Sequence, residues 1–277
     1  MKRRDFIAKS AAGAVAAGMT ADAFSAPKKK IDIKPEKAPF SFKVTVPKPQ
    51  GTMPTSELGK TGVKVSKLGF GSHMSPDILR FTVEREKIIR EAFDLGVNLF
   101  DIYDIEHNCY QYEPMGRYLK PIINEVVISI SFRPYENRTP EQEFERDLKL
   151  FGRDHIDIVR WWVETPDDPT FKLLLKYKEQ GKIRALGMMV HDMGNLDKAF
   201  ETGVPLDFAL VPFNFYHSIC WYGEKGDDFD PLFKRIREKG MGLLTMKPFA
   251  GDFLVTPFIK AAKELNVAKD EIGRAHV

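Results

Sequence analysis

Titratable side chains are concentrated at the end of one predicted strand, in the segment NLFDIYDIEH that runs from Asn98 to His107. The segment begins with the apolar residues of a buried strand and ends with Asp101, Asp104, Glu106 and His107. Carboxylates and an imidazole in such a group are suited to proton transfer or to metal ligation. The end of this strand is therefore the first candidate for a site of chemistry.

The elements that would position this segment follow a repeating pattern of an amphipathic helix and a short apolar strand. Strands this apolar indicate an α/β fold with a parallel sheet covered by helices. No glycine-rich dinucleotide loop follows any strand, so a (βα)8 TIM barrel fits better than an open doubly wound sheet. A first strand is predicted in KLGFG, and the helix–strand pairs are REKIIREAFDLG with VNLFDIYD, MGRYLKPIIN with EVVISISF, EQEFERDLKLFGRD with HIDIVRWWV, FKLLLKYKEQG with KIRALGMMV, NLDKAFETGVP with LDFALVPFN, and FDPLFKRIREKG with MGLLTMKPF.

The amino-terminal part of the chain differs in composition from the repeating part. Residues 1–25 carry Arg3 and Arg4 before a short stretch rich in Ala and Gly, which predicts an export signal, either of the twin-arginine type or an ordinary secretory one. Residues 26–52 are rich in Lys and Pro without helical period, as in an extended linker. We expect the barrel over residues 53–270, and a periplasmic or secreted protein with no stable membrane insertion after signal cleavage.

The carboxyl-terminal residues EIGRAHV, 271–277, do not continue the pattern. One back-translation of these seven residues looks like a sequencing-library adapter, so we expect a non-native tail on a truncated chain. The last helix is then TPFIKAAKELNVAKD, and the last strand and helix of the barrel are missing. The alternative is a genuine short carboxyl terminus.

Composition excludes several classes of protein. The chain has 42 Lys and Arg against 39 Asp and Glu, and much of the positive excess lies in the first fifty residues, so no basic face suited to nucleic acid is predicted. Only Cys109 and Cys220 are present, so no disulfide framework holds the fold; one bridge or two free thiols both remain open. A small-molecule ligand is the expected partner.

From about Ser56 to Asp270 the sequence resembles the aldo/keto reductase family. LGKTGVKVSKLGFG is similar to that family's opening hairpin and first strand, AFDLGVNLFD to its second strand, and DPLFKRIREKGMGLLTMKPFAG to its seventh. The resemblance implies a (βα)8 barrel in which hydride passes from NADPH to a carbonyl carbon. In that family a tyrosine protonates the oxygen, assisted by a lysine, an aspartate and a histidine.

Most of the implied catalytic positions are changed. Asp101 matches the family's aspartate, but Glu106 stands at the tyrosine position and His107 at the glycine that follows it. Ser131 stands where the resemblance places the lysine, and Trp162 where it places the histidine. The resemblance therefore implies Asp101, Glu106, His107 and Trp162 as site residues, and carbonyl reductase chemistry that is altered or lost.

The positions implied to hold the cofactor are changed as well. NADP(H) is the cofactor that the resemblance implies, yet the residues at the nicotinamide positions do not match the family. Asn214 and Lys247, at the ends of the sixth and seventh strands, are our candidates for cofactor binding. The changed nicotinamide positions are Met189, Val190, Leu210 and Met246.

Two further functions stay open beside altered redox chemistry. Four histidines fall just past predicted strands, and histidines and carboxylates from different strands could serve a metal-dependent lyase or isomerase. The alternative is that these polar side chains simply belong to solvent-exposed loops, and we assign no metal ligands. A non-catalytic periplasmic binding or accessory protein is the other possibility. The four histidines are His73, His107, His191 and His217.

Arg160 suggests a replacement for the missing lysine. It shares strand parity with Trp162, so both side chains are predicted to face the barrel interior, beside the small residues Ser129 and Ser131. We hypothesise that Arg160 is the ionic partner of Asp101, because a buried charge without a partner costs several kcal/mol. The alternative is that Arg160 extends toward a barrel end and that Asp101 is kept only by descent.

Overall fold

A computed structural model of the chain describes residues 52–72, 82–103, 111–135, 137–191, 193–214 and 229–248. The predicted export signal, the linker up to residue 51, the last predicted helix and the tail 271–277 lie outside these ranges. Cys109 and Cys220 lie outside them too. The predictions about these parts of the chain therefore stay predictions.

A short antiparallel hairpin precedes the main sheet, as the sequence predicts. Strands β1 (Thr55–Glu57) and β2 (Lys64–Ser66) pair with each other, and the turn between them contains Gly59 and Gly62. A Cβ at Gly59 would lie 2.4 Å from the backbone nitrogen of Gly242, so the hairpin packs directly against the backbone of the last described strand. The close approach explains why a glycine occupies this position.

Seven parallel strands then form one sheet, and each strand pairs with its neighbour in the chain. Every helix–strand unit predicted from the sequence is present, with bounds shifted by a few residues. The strands are β3 (Gly69–Gly71), β4 (Leu99–Ile102), β5 (Val127–Ser131), β6 (Ile156–Arg160), β7 (Ile183–Met189), β8 (Phe208–Pro212) and β9 (Gly242–Met246). The helices are α1 (Thr82–Asp94), α2 (Tyr112–Leu119), α3 (Pro140–Phe151), α4 (Pro169–Glu179), α5 (Met193–Glu201) and α6 (Phe229–Glu238), and a short 3-10 helix, Lys120–Ile122, follows α2.

The strands are apolar on both faces because each face contributes to a separate core. Phe100, Ile128 and Val159 pack on one face against the helices, in the larger core. The opposite face forms a smaller core together with side chains of the hairpin, which covers the amino-terminal end of the strands. This inner core contains Leu58, Val63, Val65, Leu99, Val127, Ile158, Ala185, Phe208 and Leu210.

Two polar side chains fix the start of α3, and a glycine fixes its end. The hydroxyl of Thr139 accepts a hydrogen bond from the backbone N–H of Gln142, and the Gln142 side chain accepts one from the backbone N–H of Thr139, which is a capping box. Gly152 ends the helix with a φ of 63°, in the left-handed region that glycine adopts without strain. Helix α3 is therefore bounded by its own sequence.

Strand β6 is held near its amino-terminal end by the buried carboxylate of Asp157. This carboxylate accepts hydrogen bonds from the backbone N–H of Ile128 at 2.9 Å, and from Arg153 and Arg184 at 2.8 Å each. The three donors satisfy a charge whose side chain is only 1% exposed. The contacts tie β6 to β5 and β7 on either side.

No helix in the described ranges combines the length and the apolar composition that a membrane crossing requires.

Candidate functional site

Three polar side chains lie together on the inner face of the sheet, above its apolar core. Asp101, Ser129 and Arg160 each follow an inner-core residue by two positions, on β4, β5 and β6. Side chains alternate across a strand with a period of two, so all three face the barrel interior. They lie toward the carboxyl ends of their strands, which is the functional face of a barrel of this kind.

A hydrogen-bonded network joins these three residues. The Ser129 hydroxyl donates to Oδ1 of Asp101 at 2.7 Å and accepts from Nη1 of Arg160 at 2.8 Å. The same Nη1 also donates to Oδ1 of Asp101, which makes an ion pair. The hypothesis that Arg160 is the ionic partner of Asp101 is therefore confirmed, and Ser129 bridges the pair.

The two charges of this network differ in burial. The Arg160 side chain is 2% exposed, whereas the Asp101 side chain keeps 31% of its surface. Nε of Arg160 is buried, and no group in the described part of the chain accepts a hydrogen bond from it. A guanidinium stays charged at any physiological pH, so its burial requires the Asp101 carboxylate beside it.

The position implied for the family's lysine lies beside this network. Ser131 pairs in register with Arg160 on the neighbouring strand, so the positive charge stands at the same level of the barrel, one strand further along. The backbone carbonyl of Ser131 accepts a hydrogen bond from the Tyr112 hydroxyl at 2.6 Å. Serine supplies no cation here, and Arg160 does.

Trp162 lies just beyond the end of β6 and is 46% exposed. Its neighbours Trp161 and Val163 pack in the core between the strands and the helices. Trp162 therefore has the opposite parity, which agrees with the facing that it was predicted to share with Arg160. Trp161 is the better packed of the two: its ring lies 6.0 Å from that of Phe132, and its Nε1 donates to Asp168 at 3.0 Å.

A second polar group forms where β7, β8 and β9 end. Nδ2 of Asn214, a residue that is 3% exposed, donates a hydrogen bond to the backbone carbonyl of Lys247 at 3.3 Å. The structure therefore brings together the two candidates for cofactor binding. Lys247 has a φ of 58°, the one positive φ of a non-glycine residue among those described.

His191 belongs to the same group. Its ring keeps exposed surface, yet burial by the surrounding protein lowers its pKa, and the nearby Lys247 ammonium lowers it further. A neutral imidazole next to an ammonium group can accept a proton and can act as a hydrogen-bond donor or acceptor.

The residues at the implied nicotinamide positions do not fit that ring. Val190 packs in the core between the strands and the helices. Leu210 is part of the inner core, and Met189 and Met246 pack against it. None of these side chains can donate a hydrogen bond to a carboxamide, and neither methionine offers an aromatic surface for stacking. Asn214 and Lys247 supply polar groups nearby, but not at the positions that the resemblance implies.

Much of the titratable segment that first indicated chemistry lies outside the described residues. Glu106 and His107, both named as site residues, are among them, as is Asp104. His73, Asp192 and His217 also lie outside. Within the described ranges, no three His, Cys, Asp or Glu side chains come together as a metal site would require.

Two features of the site were not assigned from the sequence. Ser129 was noted only for its small size, although its hydroxyl bridges the ion pair. His191 was counted among the strand-end histidines but was not assigned to a site with Lys247. Spacing along the chain cannot reveal that electrostatic interaction, because the two residues are 56 positions apart and follow different strands.

Comparisons with known proteins agree with the fold and with the family resemblance. The family model described as "Aldo/keto reductase family" matches residues 67–270. L-galactose dehydrogenase of Arabidopsis thaliana is 24% identical over 246 aligned residues, covering 76% of this chain and 73% of that protein.

Two solved structures support the same architecture. The aldo-keto reductase AKR11C1 of Bacillus halodurans, in its apo form, has a TM-score of 0.54 at 20% identity; the alignment covers 72% of this chain and 65% of that one, just under two thirds. A Pseudomonas aeruginosa protein described as an aldo-keto reductase has a TM-score of 0.57 at 21% identity, with 76% and 84% covered. At these identities the structures establish the fold, a (βα)8-type barrel, and the predicted fold class is confirmed.

Proposed function

Because this chain belongs to the aldo/keto reductase family, we propose that it is an oxidoreductase-type barrel with altered chemistry. It binds a small molecule at the carboxyl ends of its strands. It does not reduce carbonyl groups through the tyrosine, lysine and histidine that the family resemblance implies. Reduction with NADPH by that route is the activity that we infer to be lost.

The Arg160–Asp101 ion pair carries this proposal. Replacing a buried ion pair by apolar residues is often neutral or even stabilising, so stability alone does not require a charged pair here. The chain nevertheless keeps both charges, and the cation comes from β6 instead of from position 131 on β5. This favours a continuing role for a fixed positive charge at the functional end of the barrel.

Arg160 can supply that charge but cannot transfer a proton. Its guanidinium does not lose a proton in proteins, and its Nη1 is already committed to Asp101 and Ser129. Proton transfer must therefore come from another group. We propose Glu106 or His107, since they follow β4 in the sequence and a carboxylate or an imidazole can accept and donate protons.

The residues at the nicotinamide positions also support the inference that NADPH-dependent reduction has been lost. Met189 and Leu210 offer apolar surface where a carboxamide needs hydrogen-bond partners, and Met246 offers no aromatic ring to stack on the nicotinamide. We therefore derive no step of a reaction through a nicotinamide. Asn214 and Lys247 remain candidates for holding an anionic or amide group of another ligand.

The experiment uses the full chain with NADPH and a panel of aldehydes and ketones, and follows NADPH oxidation by absorbance. We expect no carbonyl-dependent oxidation above the blank, in wild type or in the Glu106→Gln and His107→Gln variants. Turnover of any panel member at about 1 s⁻¹ or faster, the lower end of ordinary enzymes, would overturn the proposal. Quenching of protein fluorescence by NADPH would separate retained binding from retained chemistry.

A binding role without catalysis is the second candidate, and the exposure of Trp162 favours it. An aromatic ring that keeps 46% of its surface at the functional end of a barrel can stack on a flat ligand. We would screen sugars and aromatic acids by thermal shift with wild type and Trp162→Ala. A ligand that raises the unfolding temperature of the wild type but not of the variant, and that is recovered unchanged, supports binding without catalysis. If no compound in the screen has this selective effect, the binding role is contradicted.

We also propose that the protein acts in the periplasm or outside the cell, as its amino-terminal sequence suggests. Replacing Arg3 and Arg4 by lysine should retain a tagged full chain in the cytoplasm if the signal is of the twin-arginine type. Export that is unaffected by the two substitutions indicates an ordinary secretory signal. A wild-type chain found only in the cytoplasm contradicts the proposal.

A further inference from the structure

A basic groove separates α2 from α3 on the helical side of the barrel, away from the strand ends. It has a volume of about 430 Å³. Four of the side chains that line it are cationic and one is acidic. The cations are Arg117, Lys120, Arg146 and Lys149, and the acid is Glu113.

Close contact between the two helices forms the floor of the basic groove. A Cβ at Gly116 would lie 2.5 Å from the backbone oxygen of Leu150, so only glycine allows α2 and α3 to approach this closely. Both Gly116 and Leu150 line the groove. The cavity is therefore bounded by two closely packed helices, and Gly116 and Leu150 add apolar surface to its lining.

The cations of the groove are only partly neutralised. Lys120 and Lys149 are exposed, and in the part of the chain that the structure describes neither ammonium group forms an ion pair. Arg117 lies over the ring of its neighbour Tyr118, at 5.3 Å, and forms no ion pair with another described residue. Arg146 is fixed in place and largely neutralised by two buried carboxylates, since its Nη1 lies 2.7 Å from Glu143 and 3.4 Å from Asp147.

A simpler explanation would assign these cations to the helix dipoles. Arg117 and Lys149 do lie in the last turns of their helices, where a positive charge is favourable. That effect fixes how far along a helix a cation lies, but not which side of the helix it occupies. It does not account for Arg146, which precedes the last turn, or for all four cations lining one cavity.

We propose that the basic groove binds a small organic anion with at least two negative charges, carried by carboxylates or phosphates. Its volume lies within the range of about 300 to 1,000 Å³ that small-molecule sites occupy. Two exposed lysines and two arginines can contact separate anionic groups, with Arg146 prepositioned by Glu143 and Asp147. The site is separate from the strand ends and does not depend on the proposed function.

The test uses isothermal titration calorimetry of the full chain with citrate and with pyrophosphate as probes. The groove variant is Lys120→Glu together with Lys149→Glu; both side chains are exposed, so we expect it to fold. A matched control carries the same change of charge on the β1–β2 hairpin, as Lys64→Glu together with Lys67→Glu. We expect at least one probe to bind wild type and control alike, and the groove variant about tenfold or more weakly.

Each outcome decides the proposal. The proposal is supported if citrate, pyrophosphate or both bind saturably to the wild type and to the control but not to the groove variant. The probe that binds then identifies the anionic group. Absence of saturable binding by either probe overturns the proposal, as does equal weakening in both variants, which would indicate a general effect of net charge. If the groove variant fails to fold, Lys120→Gln with Lys149→Gln removes the same positive charges and decides by the same criteria.

Discussion

Arg160 on β6 reaches past β5 to form an ion pair with Asp101 on β4. Ser129 on the intervening strand contacts both charges, so the positive charge of the network depends on three neighbouring strands. Ser131 occupies the position at which the family resemblance implies a lysine. The charge has thus been kept while its source along the sequence has changed.

Replacing Arg160 by Met should destabilise the fold. The change leaves the Asp101 carboxylate without its cation. Because that side chain is partly exposed, we expect the free energy of unfolding to fall by only about 2 kcal/mol. Urea unfolding followed by circular dichroism measures the free energy of unfolding. The double variant Asp101→Ala with Arg160→Met should recover part of the loss, because it removes the unpaired charge. A single variant as stable as wild type would refute the energetic importance of the pair.

Replacing Gly187 by Ala should cost about 1 to 3 kcal/mol. A Cβ at this position would lie 2.4 Å from the backbone oxygen of Phe208 and 2.5 Å from its ring, so β7 and β8 would have to move apart. Gly71 is the matched control on β3, since a Cβ there meets nothing within 4 Å. Gly71→Ala should change the free energy of unfolding by less than about 0.5 kcal/mol. Equal effects of the two substitutions would contradict the packing described here.

The pKa of His191 predicts a pH dependence of stability. Because this pKa lies below its usual value of 6.5, the unfolded chain binds the proton more readily than the folded chain. Stability should therefore fall as the pH drops below 6.5, until the pH passes the folded pKa. His191→Gln should remove this part of the pH dependence, as measured by thermal unfolding between about pH 5 and pH 8.

The contribution of Lys247 to that pKa can be measured separately. Lys247→Met should raise the pKa of His191 toward its usual value, because it removes the neighbouring positive charge. NMR titration of the imidazole follows the change directly. If the pKa of His191 has its usual value in the wild type, or does not change in the Lys247→Met variant, the arrangement at the ends of β7 and β9 is contradicted.

The two adjacent tryptophans after β6 should respond differently to truncation. Trp162→Ala should change the free energy of unfolding by less than about 0.5 kcal/mol, because the side chain is largely exposed. Trp161→Ala should cost about 3 kcal/mol, since it removes a hydrogen bond to Asp168 and the contact with Phe132. Chemical unfolding of both variants measures the difference. The opposite order would mean that Trp162, and not Trp161, is the better packed of the two.

The sequence predicted the elements well because their patterns are local. Each apolar strand and amphipathic helix is visible in a short window, and the predicted strand HIDIVRWWV contains the observed strand Ile156–Arg160. Parity along β6 even identified the partner of Asp101. Parity did not predict that Trp162 is 46% exposed, because alternation along a strand gives the side that a residue faces and not how much of it is covered.

The remaining parts of the site depend on contacts between distant segments. Nothing in the sequence marks Lys247 as a residue with positive φ, since glycine is the usual signal for that conformation. The contact between Asn214 and Lys247 follows from the order of β8 and β9 in the sheet. The basic groove forms because α2 packs closely on α3. That close packing requires a glycine at position 116, and the need for it is visible only in the folded structure.

Strand β6 carries a buried ionic group near each end, Asp157 and Arg160. A slip of β6 by two residues past its neighbours would keep every apolar side chain on its own face, so apolar packing alone distinguishes such alignments weakly. The same slip would move Asp157 away from Ile128 and Arg184, and Arg160 away from Asp101. The two charges therefore favour a single alignment of β6 with its neighbouring strands, which the apolar side chains alone would not specify.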